Sequence, residues 1–369
     1  MSEFVALELR LVHLPLVSPF RTSFGVEIEK ECILVRAETA SGSVGWGECV
    51  AAVDPGFSDE FNAAAWIVMR DHLVPQLLSA VVTAEEVGAR LANVRGHRMS
   101  KAALEMAVLD AELHERGESL RSYLGGEKDR VEVGVSVGIP ASVEALVAQV
   151  AGYVEEGYRK VKLKIEPGFD VEPVGAVRAA FPETPLSADA NAAYSLADVE
   201  VFRALDAFDL LMIEQPLSHE DLIEHAKLQR ELHTPICLDE SIRSAADARA
   251  ALELGACGIV NIKQGRVGGL LESRRIHDLA RQEGIPVWCG GMLETGIGRA
   301  ANLALASLPG FTLPGDTSSS SRYFPRDLTE PFVAQDGTMA VPQGPGLGVE
   351  PDPPRLEEAT VEVERIEAR

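Results

Sequence analysis

Five charged side chains recur at a nearly constant spacing through the middle of this 369-residue sequence. In chain order they are Lys164, Asp189, Glu214, Asp239 and Lys263, and Lys162 lies two residues before the first of them. The five are separated by 25, 25, 25 and 24 residues, and each ends a short β-rich run. Because the carboxyl ends of consecutive parallel strands open onto one face of a barrel, we expect these side chains to meet around one cavity.

Three carboxylates without histidine or cysteine predict a site for a hard divalent cation, Mg²⁺ in particular, while Mn²⁺ suits the same ligands. A substrate carboxylate bound to that ion would acidify the adjacent C–H group, and a neutral lysine could then remove the proton. The pKa of such a lysine must fall from about 10.4 toward roughly 7 to 8. A dication, a second lysine and desolvation all lower it, so Lys162 and the metal would act on Lys164 in this way.

Each of these residues also has an ordinary interpretation. A single Asp or Glu after a strand is commonly a turn residue or a helix cap, and Lys162 with Lys164 could form a solvated strand edge. These interpretations leave the regular series unexplained. Lys263 ends the mostly apolar run 258–263, where a lysine is costly unless it is paired.

The chain divides into two regions with different periodicity, and the charged series lies in the second. Residues 4–49 alternate as in an antiparallel sheet, and helical periodicity follows over residues 58–78, 84–91 and 100–116. We therefore expect an α+β unit over residues 1–125. Eight short β-rich runs come next, most of them followed by a helical pattern: residues 131–137, 160–165, 185–190, 210–215, 236–239, 259–263, 286–289 and 311–313.

This alternation predicts an α/β fold with a TIM-like barrel over residues 126–317, although an open doubly wound sheet could be drawn from the same pattern. Residues 318–369 are rich in Pro and Gly and are expected to return to the N-terminal unit.

Composition excludes several kinds of partner. The chain carries 34 basic and 57 acidic residues, a net charge of −23, which argues against nucleic acid and anionic membranes. Its five cysteines show no C-x-x-C spacing, and its N-terminus lacks the order of a signal peptide. We expect a cytoplasmic protein that binds a small carboxylate substrate and forms a homo-oligomer, at least a dimer.

The motifs around the charged series resemble those of the enolase superfamily, in its muconate-lactonising branch. The matching motifs are Lys162-Leu163-Lys164, Asp189-Ala190-Asn191, Glu214-Gln215-Pro216, Asp239-Glu240-Ser241 and Lys263. Residues 19–25, 45–49 and 288–299 extend the resemblance over essentially the whole chain. It implies a modified (β/α)₇β barrel with an N-terminal α+β capping domain. Asp189, Glu214 and Asp239 would bind Mg²⁺, and Lys164 and Lys263 would act as acid and base on opposite faces of the substrate.

The same resemblance implies further contacts with the substrate. The residues involved would be Ser136, Lys162, Asn191, Gly291, Met292, Leu293, Phe20 and Tyr323. Residues 19–26 would close over the barrel mouth, with Phe20 and Phe24 excluding water, although aromatic residues there could equally be interface packing. Arg266 could lower the pKa of Lys263, or it could form a loop salt bridge.

The activity implied is Mg²⁺-dependent abstraction of a proton next to a carboxylate. Such a site could dehydrate a precursor to o-succinylbenzoate in menaquinone synthesis, racemise N-acyl (N-succinyl) amino acids, or do both. Dipeptide epimerisation and cycloisomerisation, which use related sites, remain alternatives.

Two other classes of protein compete with this interpretation. Residues 296–301, with Asp316 about 20 residues further on, match a dinucleotide fingerprint and would indicate an NAD-dependent dehydrogenase. Close packing of the helix against the barrel also explains these glycines. A catalytically silent binding or scaffold protein would lack an acid/base pair, whereas Lys164 and Lys263 are both present.

Overall fold

The computed structural model describes residues 3–79 and 81–368. Its N-terminal part contains three strands, β1 (Phe4–Thr22), β2 (Gly25–Thr39) and β3 (Val44–Cys49). Five helices follow: α1 (Asn62–Val68), α2 (Val74–Leu78), α3 (Ala84–Arg90), α4 (Arg98–Arg116) and α5 (Leu120–Leu124). The helix predicted over residues 58–78 is interrupted by a π-helical turn, Met69–Leu73. Pro75 in the first turn of α2 cannot donate to the carbonyl group four residues earlier, which accounts for the break.

The second part alternates strands and helices. It begins with β4 (Arg130–Glu132), β5 (Val135–Val137) and α6 (Val143–Glu155), where one strand was predicted over residues 131–137. The elements that follow are β6 (Val161–Lys164), α7 (Val171–Ala180), β7 (Leu186–Asp189), α8 (Val199–Asp206), β8 (Met212–Glu214), α9 (Leu222–Gln229), β9 (Ile236–Leu238), α10 (Ala245–Leu254), β10 (Ile259–Ile262), α11 (Gln264–Val267), α12 (Leu270–Gln282), β11 (Val287–Cys289) and α13 (Gly296–Ala306). The chain ends with β12 (Thr338–Ala340), α14 (Pro353–Ala359) and β13 (Thr360–Glu367).

Strands β5 to β11 form one parallel sheet in sequential order. The strand predicted over residues 311–313 is not formed: Phe311 makes only an isolated bridge to Val287, and Gly315 makes one to Val133. Pro314, which has no N–H group, interrupts the pairing between these two bridges. The extended segment nevertheless joins the two edges of the sheet, so the architecture is a (β/α)₇β barrel. The strand order never reverses, which excludes the open doubly wound sheet.

The N-terminal sheet has the order β13-β1-β2-β3 and is antiparallel throughout. Its outer strand β13 comes from the end of the chain and pairs with β1, Leu9 opposite Glu364. The domain boundaries near residues 125 and 317 stay predictions. Among the described residues, no helix is long and apolar enough to cross a membrane.

Helix α4 packs closely on β3 and joins the N-terminal unit to the barrel. A Cβ atom on Gly47 would lie 2.0 Å from the carbonyl oxygen of Ala103, so only glycine permits this approach. On the other side of α4, the carboxylate of Glu105, 4% exposed, accepts a hydrogen bond of 3.1 Å from the backbone N–H of Leu271 in the first turn of α12. The contact places a buried carboxyl group at the junction of the two units.

This carboxyl group makes the free energy of unfolding depend on pH. Burial raises the pKa of Glu105 to about 7 from an ordinary value of 4.5. The folded chain therefore retains a proton that the unfolded chain releases, and stability falls as pH rises from about 4.5 to 7. As pH rises from 5 to 8, we expect the free energy of unfolding of Glu105→Gln to increase by about 2–3 kcal/mol relative to that of wild type, as measured by denaturant unfolding.

The exposed Glu127 supplies the control, because Glu127→Gln should leave the pH dependence unchanged. Asp110, whose pKa burial also raises to about 7, keeps its own contribution in both variants. An identical slope for Glu105→Gln and wild type would contradict the prediction.

Candidate active site

A cavity of about 350 Å³ lies where the carboxyl ends of the barrel strands meet the β1–β2 hairpin. Both lysines of the proposed acid/base pair and all eight predicted substrate contacts line it: Lys164, Lys263, Phe20, Ser136, Lys162, Asn191, Gly291, Met292, Leu293 and Tyr323. The Ser136 hydroxyl is enclosed and has no hydrogen-bond partner among the described residues, so it is available to a ligand. The structure therefore brings the residues together, while their roles remain predictions.

The three carboxylates of the series lie just beneath the cavity, with exposed fractions of 1% for Asp189 and 0% for Glu214 and Asp239. Adjacent strands place Lys164 opposite Asp189 and Asp189 opposite Glu214. The ammonium group of Lys164 lies 2.7 Å from Asp189 Oδ2. The ammonium group of Lys162 lies 3.1 Å from the same oxygen and 2.9 Å from Glu214 Oε2.

The electrostatics distinguish two of these carboxylates. Burial opposes ionisation of Asp189, but Lys164 and Lys162 outweigh it and hold the pKa of Asp189 well below its usual range. Glu214 has the opposite shift, because burial and then the charge of Asp189 raise its pKa. A cation near Glu214 would therefore favour its ionised form.

Asp239 directly follows β9, the strand next to that of Glu214, and pairs with two cations. Lys263 Nζ is 2.7 Å from Asp239 Oδ2, and the Arg266 guanidinium donates to Asp239 Oδ1. Arg266 also donates to the carbonyl oxygens of Ile242, at 2.7 Å, and Asn261, at 2.6 Å. Burial lowers the pKa of Arg266 to about 9. Arg266 is thus a buried residue that shares a carboxylate with Lys263, which is not the geometry of an exposed loop salt bridge.

The donor set fits a hard divalent cation, since all three groups are carboxylates from successive strands and no thiol or imidazole competes with them. Ammonium groups lie between them, and among the described residues no three His, Cys, Asp or Glu side chains converge on one point as they would around a metal ion. An ion bound there would replace the contacts that Lys162 and Lys164 make with Asp189 and Glu214.

A buried ion pair behind Lys162 was missed by the sequence reasoning. Asp316 Oδ2 lies 2.8 Å from Lys162 Nζ, and its Oδ1 lies 3.3 Å from the fully buried Lys160. Lys160 Nζ also sits 3.5 Å above the ring of Trp288. The alternation of Lys160, Lys162 and Lys164 signalled a shared face, but nothing local connects Asp316 to them. Asp316 is thus a third carboxylate partner of Lys162, besides Asp189 and Glu214.

Aromatic side chains cover the cavity from the N-terminal unit. Phe20 meets Tyr323 edge to face, with the ring centroids 6.1 Å apart. Phe57, in the loop after β3, places its ring 4.6 Å from Lys263 Nζ and 6.2 Å from the ring of Phe24. The sequence reasoning missed Phe57, because one aromatic residue in a loop carries no periodic signal. These contacts lie at the domain interface and also exclude water from the lysine.

The loops at the mouth hold unusual backbone conformations. Asn191 and Leu293 have φ angles of 43° and 55°, in the left-handed region, which Asn adopts readily but which is costly for Leu. Asn191 Oδ1 accepts a 2.6 Å hydrogen bond from Lys164, and its Nδ2 donates to Glu240 Oε1 at 3.0 Å. These bonds fix the orientation of Lys164 toward the cavity.

The glycine-rich segment 296–301 does not form a dinucleotide site. The backbone N–H groups at the start of α13 are already bonded to carboxylates. Glu48 accepts hydrogen bonds from the N–H groups of Thr295 and Gly298, and Asp327 accepts one from that of Gly296. A Cβ atom on Gly296 would lie 1.8 Å from Thr329 Oγ1, so this glycine serves close packing. The dehydrogenase alternative is therefore wrong, since two carboxylates occupy the position a pyrophosphate would need.

A barrel whose cavity joins two lysines to three strand-end carboxylates, closed by an N-terminal α+β unit, defines a class of enzyme. Comparison with known families agrees: residues 145–355 match the family described as enolase C-terminal domain-like, and residues 6–125 match the mandelate racemase/muconate lactonizing enzyme N-terminal domain. The chain belongs to the enolase superfamily and is an enzyme of that group.

Particular relatives narrow the comparison. The chain is 57% identical over 356 residues to an N-succinylamino acid racemase of Amycolatopsis sp., covering 96% of each chain. It is 50% identical to an o-succinylbenzoate synthase of Geobacillus kaustophilus, covering 95% of this chain and 94% of the relative. The crystal structure of an enolase-superfamily protein from Listeria innocua superposes with a TM-score of 0.96 at 39% identity, covering 100% of both chains.

Proposed function

We propose that this enzyme abstracts the proton next to a substrate carboxylate, to racemise N-acyl (N-succinyl) amino acids, to form o-succinylbenzoate by dehydration, or both. One observation carries the proposal: Lys164 and Lys263 line the same cavity but pair with different carboxylates. Lys164 pairs with Asp189 at the end of β7, and Lys263 pairs with Asp239 just after β9. Two bases that approach from different strands can reach both faces of a planar carbon.

Asp189, Glu214 and Asp239 would hold Mg²⁺, or Mn²⁺ in its place. When bound, the ion polarises the substrate carboxylate and stabilises the negative charge that develops as the α-proton leaves. Superfamily membership and the oxygen-only donor set support this assignment. Lys162, paired with Asp316, would place a further positive charge beside that carboxylate.

The two lysines determine which reactions are possible. With Lys164 neutral and Lys263 protonated, or the reverse, one removes the α-proton and the other delivers a proton to the opposite face, which inverts the stereocentre. Dehydration needs only one base, together with an ammonium group that protonates the departing hydroxyl. Both reactions use one site, in keeping with the two names borne by relatives at 57% and 50% identity.

The remaining contacts would bind and enclose the substrate. Ser136 and Asn191 offer polar groups, residues 291–293 offer backbone at the mouth, and Phe20 and Tyr323 enclose the acyl group. Arg266, through the shared Asp239, would support the neutral form of Lys263 by adding positive charge. We also propose a cytoplasmic homo-oligomer, at least a dimer.

The proposal is tested by proton NMR in D₂O with Mg²⁺ and an N-succinyl-L-amino acid, with optical rotation followed in parallel. We expect the α-proton signal to disappear and the rotation to decay to zero. Loss of the signal without decay of rotation would indicate exchange on one face only. If neither changes, racemisation of this class is wrong, and formation of o-succinylbenzoate, dipeptide epimerisation and cycloisomerisation are assayed in that order.

A further inference from the structure

One arginine of the cavity has no counter-charge. Arg299, on α13, lines the cavity and is 2% exposed. Its Nε donates to the carbonyl oxygen of Glu294 at 3.0 Å, and its Nη1 donates to that of Ser318. Within residues 3–79 and 81–368, no carboxylate forms an ion pair with it.

Five other buried cations of the barrel are balanced by carboxylates. Their ion pairs are Lys160 and Lys162 with Asp316, Lys162 and Lys164 with Asp189, and Lys263 and Arg266 with Asp239. A buried charge satisfied only by neutral carbonyl groups is costly. Arg299 therefore needs an anion that the protein itself does not supply.

A second cation of the cavity, Lys30, also forms no ion pair among the described residues. It donates to the carbonyl oxygen of Met292 at 2.9 Å. An ammonium group lacks the planar fork with which a guanidinium group binds a carboxylate, so Arg299 suits a carboxylate better than Lys30 does.

Arg299 also presents the right geometry for an anion. Its guanidinium carbon lies 5.4 Å from the ring centroid of Tyr323, which restricts its orientation. Nη2 donates no hydrogen bond among the described residues, although it is not sealed from solvent. A guanidinium group with a free edge is well suited to a carboxylate.

We propose that Arg299 is a specificity-determining residue that pairs with a second carboxylate of the substrate, at the far end of the N-acyl group. The inference rests on the proposed function for the location of the first carboxylate, which lies at the metal and lysine end of the cavity. Substrates that carry a neutral group in place of the distal carboxylate should therefore bind less well.

A purely structural role for Arg299 makes a different prediction. Its two carbonyl contacts join the loop after β11 to residues 316–318, and loss of that connection would weaken every substrate equally. If Arg299 instead recognises charge, its replacement should weaken binding only of the substrate that carries the distal carboxylate.

The test compares two substrates of equal length, an N-succinyl amino acid and the matching N-succinamoyl amino acid, whose distal group is a neutral amide. We expect wild type to prefer the succinyl substrate by at least about 30-fold in kcat/KM, mainly through KM. Arg299→Gln should reduce the preference to within about 3-fold while kcat on the amide changes little. Arg299→Lys, which keeps the charge without the planar fork, should retain an intermediate preference.

Arg322→Gln is the matched control. Arg322 lies 5.3 Å from the ring of the same Tyr323 but is partly exposed and does not line the cavity. We expect it to keep the wild-type preference. Circular dichroism and thermal unfolding establish that each variant folds. If Arg299→Gln does not fold, Arg299→Lys tests the inference, and a full wild-type preference in that variant would contradict it.

Three results would overturn the inference: no preference in wild type, an unchanged preference in Arg299→Gln, or equal losses on both substrates. If wild type exchanges the α-proton of neither compound, the proposed function fails separately. Calorimetry then measures the Kd of the same two compounds for wild type and Arg299→Gln. The ratio of the two Kd values in each protein shows whether Arg299 binds the distal carboxylate.

Discussion

Lys164→Ala will lose α-proton exchange on one enantiomer of the substrate by at least about 10³-fold, and Lys263→Ala will lose it on the other. Removal of a positioned base or acid costs roughly 10²–10⁴-fold in rate, and a lysine that both abstracts and returns protons lies toward the upper end. Racemisation requires both groups and should disappear in each variant. Proton NMR in D₂O, with the L and D substrates assayed separately, measures the two exchange rates.

The single-face result is the informative one, because a general defect of folding would affect both enantiomers. Lys227→Ala, an exposed lysine on α9, serves as the control and should match wild type on both. Binding of Mg²⁺ should remain measurable in all three variants. Full exchange of both enantiomers in both active-site variants would exclude the two-lysine mechanism.

Removal of the divalent cation will abolish activity. Chelation should reduce kcat/KM by more than about 10³-fold, because the ion supplies several kcal/mol of stabilisation to the developing charge. Added Mg²⁺ or Mn²⁺ should restore it. Glu214→Gln should reproduce the loss and weaken Mg²⁺ binding by at least about tenfold in calorimetry, since one of three anionic ligands is gone.

Glu240 provides a sharp control for the ligand assignment. It is a buried carboxyl group next to Asp239, with its pKa raised by burial and then by the charge of Asp189, and it bonds to Asn191 outside the proposed ligand set. Glu240→Gln should therefore bind Mg²⁺ within about tenfold of wild type, whatever its effect on rate. Equal loss of Mg²⁺ in Glu240→Gln and Glu214→Gln, or full activity after chelation, would show that the ligands are assigned wrongly.

The 25-residue spacing was enough to predict the floor of the cavity. Strand, helix and loop together take about that many residues in each barrel unit, so side chains at the ends of successive strands must be neighbours. Lys164, Asp189 and Glu214 are adjacent across β6, β7 and β8 as that reasoning requires. The same local pattern failed at residues 311–315, where backbone bridges, with Pro314 between them, replace a strand.

Long-range packing decided the remaining features. Glu48 reaches the start of α13, nearly 250 residues later in the chain, and Asp316 meets Lys160 and Lys162 across the closed edge of the barrel. No periodicity or motif in either segment signals its partner, because such contacts depend on how segments distant in the sequence pack together.

The sequence by itself determined the alternation of strands and helices, the carboxylate and lysine series and the chemistry those residue types favour, because strand and helix periodicity are local properties. The tertiary structure decided that the sheet closes into a barrel, which the pattern had left open. Only the tertiary structure decided which cations have a counter-charge. Arg299 was visible in a motif from the start, but its lack of a carboxylate partner became apparent only when residues 294, 318 and 323 were placed around it. Counter-charges come from any part of the chain, so their absence is a property of the packed molecule alone.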